Sequence, residues 1–399
     1  MNTAHPEGTY FSSLRHPASG IRAARAGGYW SLLGRRLGVS RTVASGFFIL
    51  MALAGISGCS VERETVSAVP AVREDGLNIA VWPVFNQSAT PAPLDKINRL
   101  LANNLRQRGI DLLAEQILEG VIARNRIRYL GGLDGHTAQV FHQEAGVQAV
   151  LITSLELYSE VPPPKISLTA RLVSTGENPQ VLWIDGIGMA GDDDLGLLDL
   201  TLVEDPRKLL ETAVGRLADS LSEFLAGGKE WVDTRGARKK FHPKVTFHSP
   251  VFAPDLKYRV VVVPFFNDSQ RKNAGDIMAL HFIRQMSPLD TFDVVEPGLV
   301  RHALLRMRII MGDGLSLGDA DVIFSRLNAD LILTDQALDY QDYQGLNGTP
   351  KVDFSAQLIE RRSREIVWTV KSFNTGDDCV FFFDWGRVNI VYAMVSEMV

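Results

Sequence analysis

The chain repeats itself, and that repetition restricts its fold more than any other feature. Residues 79–88 read I-A-V-W-P-V-F-N-Q-S and residues 260–269 read V-V-V-V-P-F-F-N-D-S. Pro83, Phe85, Asn86 and Ser88 meet Pro264, Phe266, Asn267 and Ser269 at an offset of 181. From Arg126 to Leu151 the chain aligns without a gap on Arg308 to Leu333 at an offset of 182. K-I-S-L-T-A-R-L-V (165–173) then meets K-V-D-F-S-A-Q-L-I (351–359) at 186. Val181-Leu182-Trp183 and Gly191-Asp192-Asp193 finally meet Ile366-Val367-Trp368 and Gly376-Asp377-Asp378. Four blocks in one order with slowly drifting offsets describe an internal duplication.

Each copy reads the same way. A Val/Ile-rich run suits a strand buried on both faces. Leu94, Ile97, Leu100, Leu101 and Leu105 recur at helical spacing, and Ile277, Leu280, His281 and Met286 do so less cleanly. A short strand (110–114; 291–295), a second helix (114–126; 297–309) and a third (137–146; 319–328) follow, with Thr137 and Asp319 as expected amino-terminal caps. Three strands then alternate, Ile166, Leu168, Ala170 and Leu172 against Ser167, Thr169 and Arg171, so one face meets a core and the other water or a partner. A last helix closes each copy. The fold class is α/β, two tandem copies of a β-α-β-α-α-β-β-β-α domain with a mixed sheet and helices packed on it. The expected divisions are a leader at 1–59, a tether at 60–77, domains at 78–228 and 258–399, and a charged, proline-containing linker at 229–257.

The amino terminus reads as an address. Residues 1–59 carry six arginines and one acid, whereas residues 60–399 hold 35 of the 41 basic and 45 of the 46 acidic residues, a formal −10. So acidic a body is poorly matched to a phosphate backbone, and nucleic acid is not an expected partner. Arg35, Arg36 and Arg41 precede the apolar run 43–56, which is shorter than the ~20 residues of a membrane span. Ile56-Ser57-Gly58-Cys59 resembles the bacterial lipobox. That resemblance implies a lipoprotein signal peptide, cleavage before Cys59, lipidation of its thiol, and anchoring by several acyl chains. By the same resemblance, Ser60 after the cysteine favours the outer membrane, with the protein on its periplasmic face.

A strand ending in P-F-x-N-x-S, then Ala329-Asp330-Leu331-Ile332-Leu333-Thr334, Ala356-Gln357-Leu358-Ile359 and Glu365-Ile366-Val367-Trp368 carry a second resemblance. This set is similar to the periplasmic α/β domain of the curli-secretion-channel lipoprotein. Related domains form the amino-terminal part of Tol translocation protein B, penicillin-binding-protein activator lipoproteins and exopolysaccharide-export lipoproteins. The resemblance covers most of 78–190 and 258–378. It implies a non-enzymatic interaction or scaffold protein of envelope biogenesis, serving polysaccharide or fibre export as a secretion accessory, or cell-wall synthesis. It is compatible with a homo-oligomer and leaves the protein partner unnamed. No spare amphipathic hairpins exist from which the chain could build a pore by itself.

Candidate chemistry is sparse. Asn86, Ser88, Asn267 and Ser269 lie where α/β folds often bind ligands, so a periplasmic enzyme or small-ligand-binding protein using these loops is the alternative reading. The simpler reading is a turn, because Asn and Ser side chains bond nearby backbone. His242 and His248 lack a third metal ligand. Asp192-Asp193-Asp194 and Asp377-Asp378 read as solvated loop acids rather than a cation site. Trp183 and Trp368 read as core, and Cys379 as a small buried hydrophobe. No catalytic triad, P-loop or glycine-rich dinucleotide motif can be assembled, and His136 and His302 are not equivalent. Neither a catalytic residue, a cofactor nor a metal is expected. Phe381, Phe382, Phe383 and Trp385 form the one aromatic cluster that suits either a partner surface or core packing.

Overall fold

The computed structural model describes residues 77–193, 202–227, 240–250, 252, 256–312, 314–343, 345, 348–378, 380 and 386–399. Residues 60–76 of the expected tether, Cys59, Cys379, Phe381, Phe382, Phe383 and Trp385 lie outside the described residues. The described residues belong to one compact unit.

In the amino-terminal half, β1 (Ile79–Val81), β2 (Phe85–Asn86), β3 (Ala149–Ser159), β4 (Lys165–Ser174) and β5 (Val181–Ala190) make one mixed sheet. Both β1 and β2 run parallel to β3, and β3, β4 and β5 form an antiparallel meander. Its helices are α1 (Leu94–Gln107), α2 (Glu115–Arg124), α3 (Gly135–Ala145) and α4 (Pro206–Leu225). One face of the sheet buries Leu151, Leu168, Ala170 and Trp183 against α1 and α4. On the other, Val150, Ile152 and Val173 meet α2 and α3.

The carboxyl-terminal half contains β6 (Val245–His248), β7 (Tyr258–Val262), β8 (Phe266–Asn267), β9 (Phe292–Val294), β10 (Leu331–Gln341), β11 (Lys351–Glu360) and β12 (Ile366–Thr375). Here β7 and β8 run parallel to β10, and β10, β11 and β12 again form an antiparallel meander. The edges are β6 beside β12 and β9 beside β7. Helices α5 (Ala274–Met286) and α8 (Val391–Met398) share a core with Leu333, Phe354 and Ala356, while α6 (Pro297–Met307) and α7 (Leu317–Leu327) pack with Ile332 and Ile359 on the opposite face.

Several local expectations need correction. The cap of α3 is Asp134, whose carboxylate accepts from His136 N and Thr137 N, because the helix starts earlier than Thr137. Ser316 caps α7 in the same way, its Oγ accepting from Asp319 N. The early short strand is a single bridge, Ile79 to Leu112, in the first half but a true strand, β9, in the second. The stretch read as linker supplies β6, and Phe241 within it is buried in the second core. Trp183 is core as expected, and Trp368 packs partly against its own.

Helix α5 departs from an amphipathic pattern for a physical reason. Only Ile97, Leu101 and Leu105 are buried in α1, which leaves a wet face, whereas ten of the thirteen residues of α5 are buried. A helix enclosed all round has no polar stripe to display. It lies between its own sheet and the polar end of the first one.

Candidate functional site at the contact of the two halves

The two Asn-x-Ser turns are built alike. Asn86 Oδ1 accepts from Ser88 N at 2.9 Å and from Ser88 Oγ at 2.6 Å, while its Nδ2 donates to Thr90 O at 2.9 Å. Asn267 Oδ1 accepts from Ser269 N at 3.1 Å and Oγ at 2.6 Å, and its Nδ2 donates to Arg271 O at 2.7 Å. Both amides are spent on lifting the chain away from the strand, as Asx turns do.

The turns differ two residues beyond the serine. Arg271 stands where the first turn has Thr90, and it reaches back: Nη1 donates to Ser88 O at 2.8 Å and Nη2 to Glu156 O. Asn273 Nδ2 adds a bond to Gln87 O at 3.2 Å. The second turn thus clamps the first, and Gln87 and Ser88 are buried while Asn267 stays exposed.

Around this clamp the polar end of the first sheet is sealed by the second half. Arg171 on β4 pairs with Glu296, the cap of α6, Nε to Oε2 and Nη2 to Oε1 both at 3.1 Å. Glu296 Oε1 also accepts from Leu133 N at 3.0 Å and Gly298 N at 3.2 Å, and Arg171 Nη2 donates to Gly131 O at 2.6 Å. Lys165 Nζ donates to Tyr343 O and Asn389 O, each at 2.8 Å, and its burial lowers its pKa. Arg284 on α5 donates to Gly186 O at 3.2 Å and stands over the Tyr392 ring.

The most perturbed group here is Glu156 on β3. Burial raises its pKa to about 7, against the bond from Thr169 Oγ1 to Oε1 at 2.6 Å and the charges of Arg284 and Arg271. Its Oε2 faces His281 Nε2 at 3.9 Å, too long for a hydrogen bond, and neither atom has another partner among the described residues. Burial also holds His281 well below the ordinary imidazole value. Near neutral pH the desolvated pair is therefore short of full charge separation.

A cavity of about 250 Å³ opens beside the clamp. Phe85, Gln87 and Tyr129 line it from one half, and Asn273, Asp276 and Arg301 from the other. The Arg301 guanidinium lies 3.9 Å from the centre of the Tyr129 ring, and burial raises the Asp276 pKa against the nearby Arg301 charge. Gln87 Oε1 is buried without a partner among the described residues.

Other candidates sit elsewhere. His248 ends β6 in the open, and His242 lies before it outside any strand. Among the described residues no group of three metal-type ligands occurs. Asp378 accepts from Asn374 Nδ2 and Thr375 N, and Asp193 accepts from Ala190 N, so these acids brace strand ends. Sequence patterning marks Ser167, Thr169 and Arg171 as a polar face but does not single out the residues that join the halves. Nothing in one sequence says which residues cover such a face.

No protein-family model matches this sequence, and no curated protein sequence matches it. Among solved structures, PelC from Paraburkholderia phytofirmans, a dodecamer, is similar at 17% identity over 39% of this chain and 89% of that one, with a TM-score of 0.28. Lipoprotein GNA1162 from Neisseria meningitidis is similar at 23% identity over 36% of this chain and 99% of that one, with a TM-score of 0.27. The LpoB C-terminal domain from Escherichia coli is similar at 17% identity over 31% of this chain and 87% of that one, with a TM-score of 0.23. Each likeness spans less than half of the present chain. Among the described residues no helix is long and apolar enough to cross a membrane.

Proposed function

We propose that this chain is a duplicated, lipid-anchored periplasmic protein of the outer membrane that acts without catalysis. In this reading it is a scaffold in the assembly or regulation of an envelope machine, whether for polysaccharide or fibre export or for cell-wall synthesis. Cys59 carries the anchor, and residues 78–228 and 258–399 are two versions of one domain. One observation bears most of the weight. The repeated Asn-x-Ser side chains are spent on their own turns, and the second turn extends Arg271 to clamp the first. The motif most suggestive of chemistry thus acts in assembly. The matching pairing order of β1, β3, β4, β5 and β7, β10, β11, β12 supports the duplication.

The test has two arms. Cys59→Ala should move the protein from the membrane to the soluble fraction, and continued tight anchoring would remove the lipid claim. Crosslinking in the native envelope should capture a component of an export or cell-wall machine. Absence of any envelope protein across crosslinkers of several lengths would refute the scaffold role.

The second reading, a small-ligand-binding protein, draws on the cavity between Phe85, Gln87, Tyr129, Asn273 and Asp276. Its support is the unpartnered Gln87 Oε1, an acceptor suited to a ligand bearing N–H or O–H. Gln87→Leu would weaken such a ligand without disturbing partner capture.

A further inference from the structure

The cavity beside the clamp has a floor, walls and a rim of different chemistry. Two buried polar side chains line its floor, Gln87 at 5% and Ser154 at 1% exposure. Ser154 stands opposite Phe85 in register, and Gln87 follows Phe85 by two residues, so the three share one side of the strands. Gln87 Oε1 has no hydrogen-bond partner among the described residues, and the Ser154 hydroxyl makes no bond to them either. A carbonyl oxygen can only accept, whereas a hydroxyl can donate or accept. A ligand hydroxyl, which does both, satisfies the two together.

The walls are apolar and include two aromatic rings. Phe85 and Tyr129 meet edge on, with ring centres 5.5 Å apart, and Leu280 and Ile283 of α5 line the cavity from the other half. A Cβ on Gly131 would come within 2.8 Å of the Phe85 ring and 2.7 Å of the Tyr129 hydroxyl, so the absence of a side chain there leaves both rings their places. Such walls suit a flat, apolar body. The volume of about 250 Å³ exceeds the ~150 Å³ that encloses a benzene ring, which leaves space for a short polar chain.

The rim carries both signs of charge. Asp276 in the first turn of α5 and Arg301 on α6 are exposed there. The Arg301 guanidinium lies over the Tyr129 ring, and among the described residues it forms no ion pair with Asp276, whose carboxylate accepts no hydrogen bond. A lone cation would meet Arg301 and a lone anion would meet Asp276. A head group bearing both charges finds a partner for each. The second half does not reproduce this set, because Asp268, Gln336 and Met311 stand where the first has Gln87, Ser154 and Tyr129.

We propose that the cavity binds one free α-amino acid with a hydroxyphenyl side chain, tyrosine or a close analogue. The ammonium pairs with Asp276 and the carboxylate with Arg301. The ring lies along Phe85 and Tyr129, and its hydroxyl donates to Gln87 Oε1 and accepts from Ser154 Oγ. This assignment rests on the second reading above, that the cavity holds a small ligand, and adds the ligand's class.

The test uses the full chain purified from membranes in detergent, titrated calorimetrically with L-tyrosine against a detergent blank. One equivalent should bind. Tyramine lacks the carboxylate, 3-(4-hydroxyphenyl)propionate lacks the ammonium, and L-phenylalanine lacks the hydroxyl, so each should bind about tenfold more weakly or worse. Arg301→Gln should cost L-tyrosine and the propionate about tenfold without weakening tyramine. Asp276→Asn should cost L-tyrosine and tyramine about tenfold without weakening the propionate. Should either variant misfold by circular dichroism, the four compounds on the wild-type chain still decide. Any of the three analogues binding as tightly as L-tyrosine, or neutral phenol doing so, would overturn the amino-acid class and leave the small-ligand reading standing. No binding by any compound, phenol included, would overturn both.

Discussion

Arg171 on β4 and Glu296 at the head of α6 form a two-pronged ion pair, both contacts 3.1 Å, with neither side chain open to solvent. The pair crosses between the halves, and Glu296 simultaneously accepts from the amides of Leu133 and Gly298. Removing one partner of a buried pair strands the other charge, which costs more than the pair contributes. Glu296→Ala should therefore destabilise the fold by about 3–5 kcal/mol, read from denaturant unfolding. Arg171→Met combined with Glu296→Leu should recover only part of this loss, because the two amides still lack an acceptor. Full recovery would mean that the amides find other partners.

Glu156 makes stability depend on pH. Its folded pKa is raised from 4.5 to about 7, so its contribution is fully present below about pH 4.5 and is lost as pH rises through about 7. His281 opposes it: with a folded pKa well below 6.5, its contribution is present above that value and is lost as pH falls. Arg284, Arg271, Asp342, Tyr340 and Tyr392 also bear on this group of residues. The difference between wild type and Glu156→Gln isolates the carboxyl. The variant should gain on wild type by on the order of 3 kcal/mol between pH 4.5 and pH 8, measured by urea unfolding at each pH. A constant difference would place the proton elsewhere.

Why the sequence disclosed the elements but not their junction is a matter of the range of the interactions. Strands and helices are written in periods of two and about three and a half residues, which a single sequence displays. Each cap lies three residues before the expected one because Asp134 and Thr137, like Ser316 and Asp319, are all good capping types. Strand β6 is not legible because Pro243 and the charges around it resemble a linker, while its pairing partner β12 lies more than a hundred residues away. The polar face of β4 was legible as alternation. That α5 covers it was hidden in the poor amphipathicity of α5, a signal whose meaning appears only once both neighbours of the helix are known.

The paired turns provide an internal control. Asn86 is part-buried under the clamp from Arg271, whereas Asn267 is exposed, although both make the same bonds. Water can replace a lost bond only where it can reach. Asn86→Ala should cost about 1–3 kcal/mol and Asn267→Ala less than about 1 kcal/mol, compared by thermal or chemical unfolding. Equal costs would show that the clamp does not exclude water from the first turn.

Two glycines should respond in opposite directions to one added methyl. At Gly298, in the first turn of α6, the backbone of Gly132 and Leu133 from the other half occupies the space a Cβ would need. Conversely, a Cβ on Gly132 would lie 2.7 Å from Gly298 Cα. Neither obstacle is a movable side chain, so Gly298→Ala must separate the two backbones beside the Arg171 to Glu296 pair. Its cost should reach the upper part of the ~1–3 kcal/mol range for overpacking, with faster proteolysis at the contact of the halves. Gly215, inside α4, has nothing within 4 Å of the place a Cβ would take and no left-handed φ. Gly215→Ala should instead stabilise by about 0.5–1 kcal/mol through helix propensity alone. Parallel melting curves decide the matter: a fall for the first and a rise for the second fit the close approach of α6 to residues 131–133, and two rises would refute it.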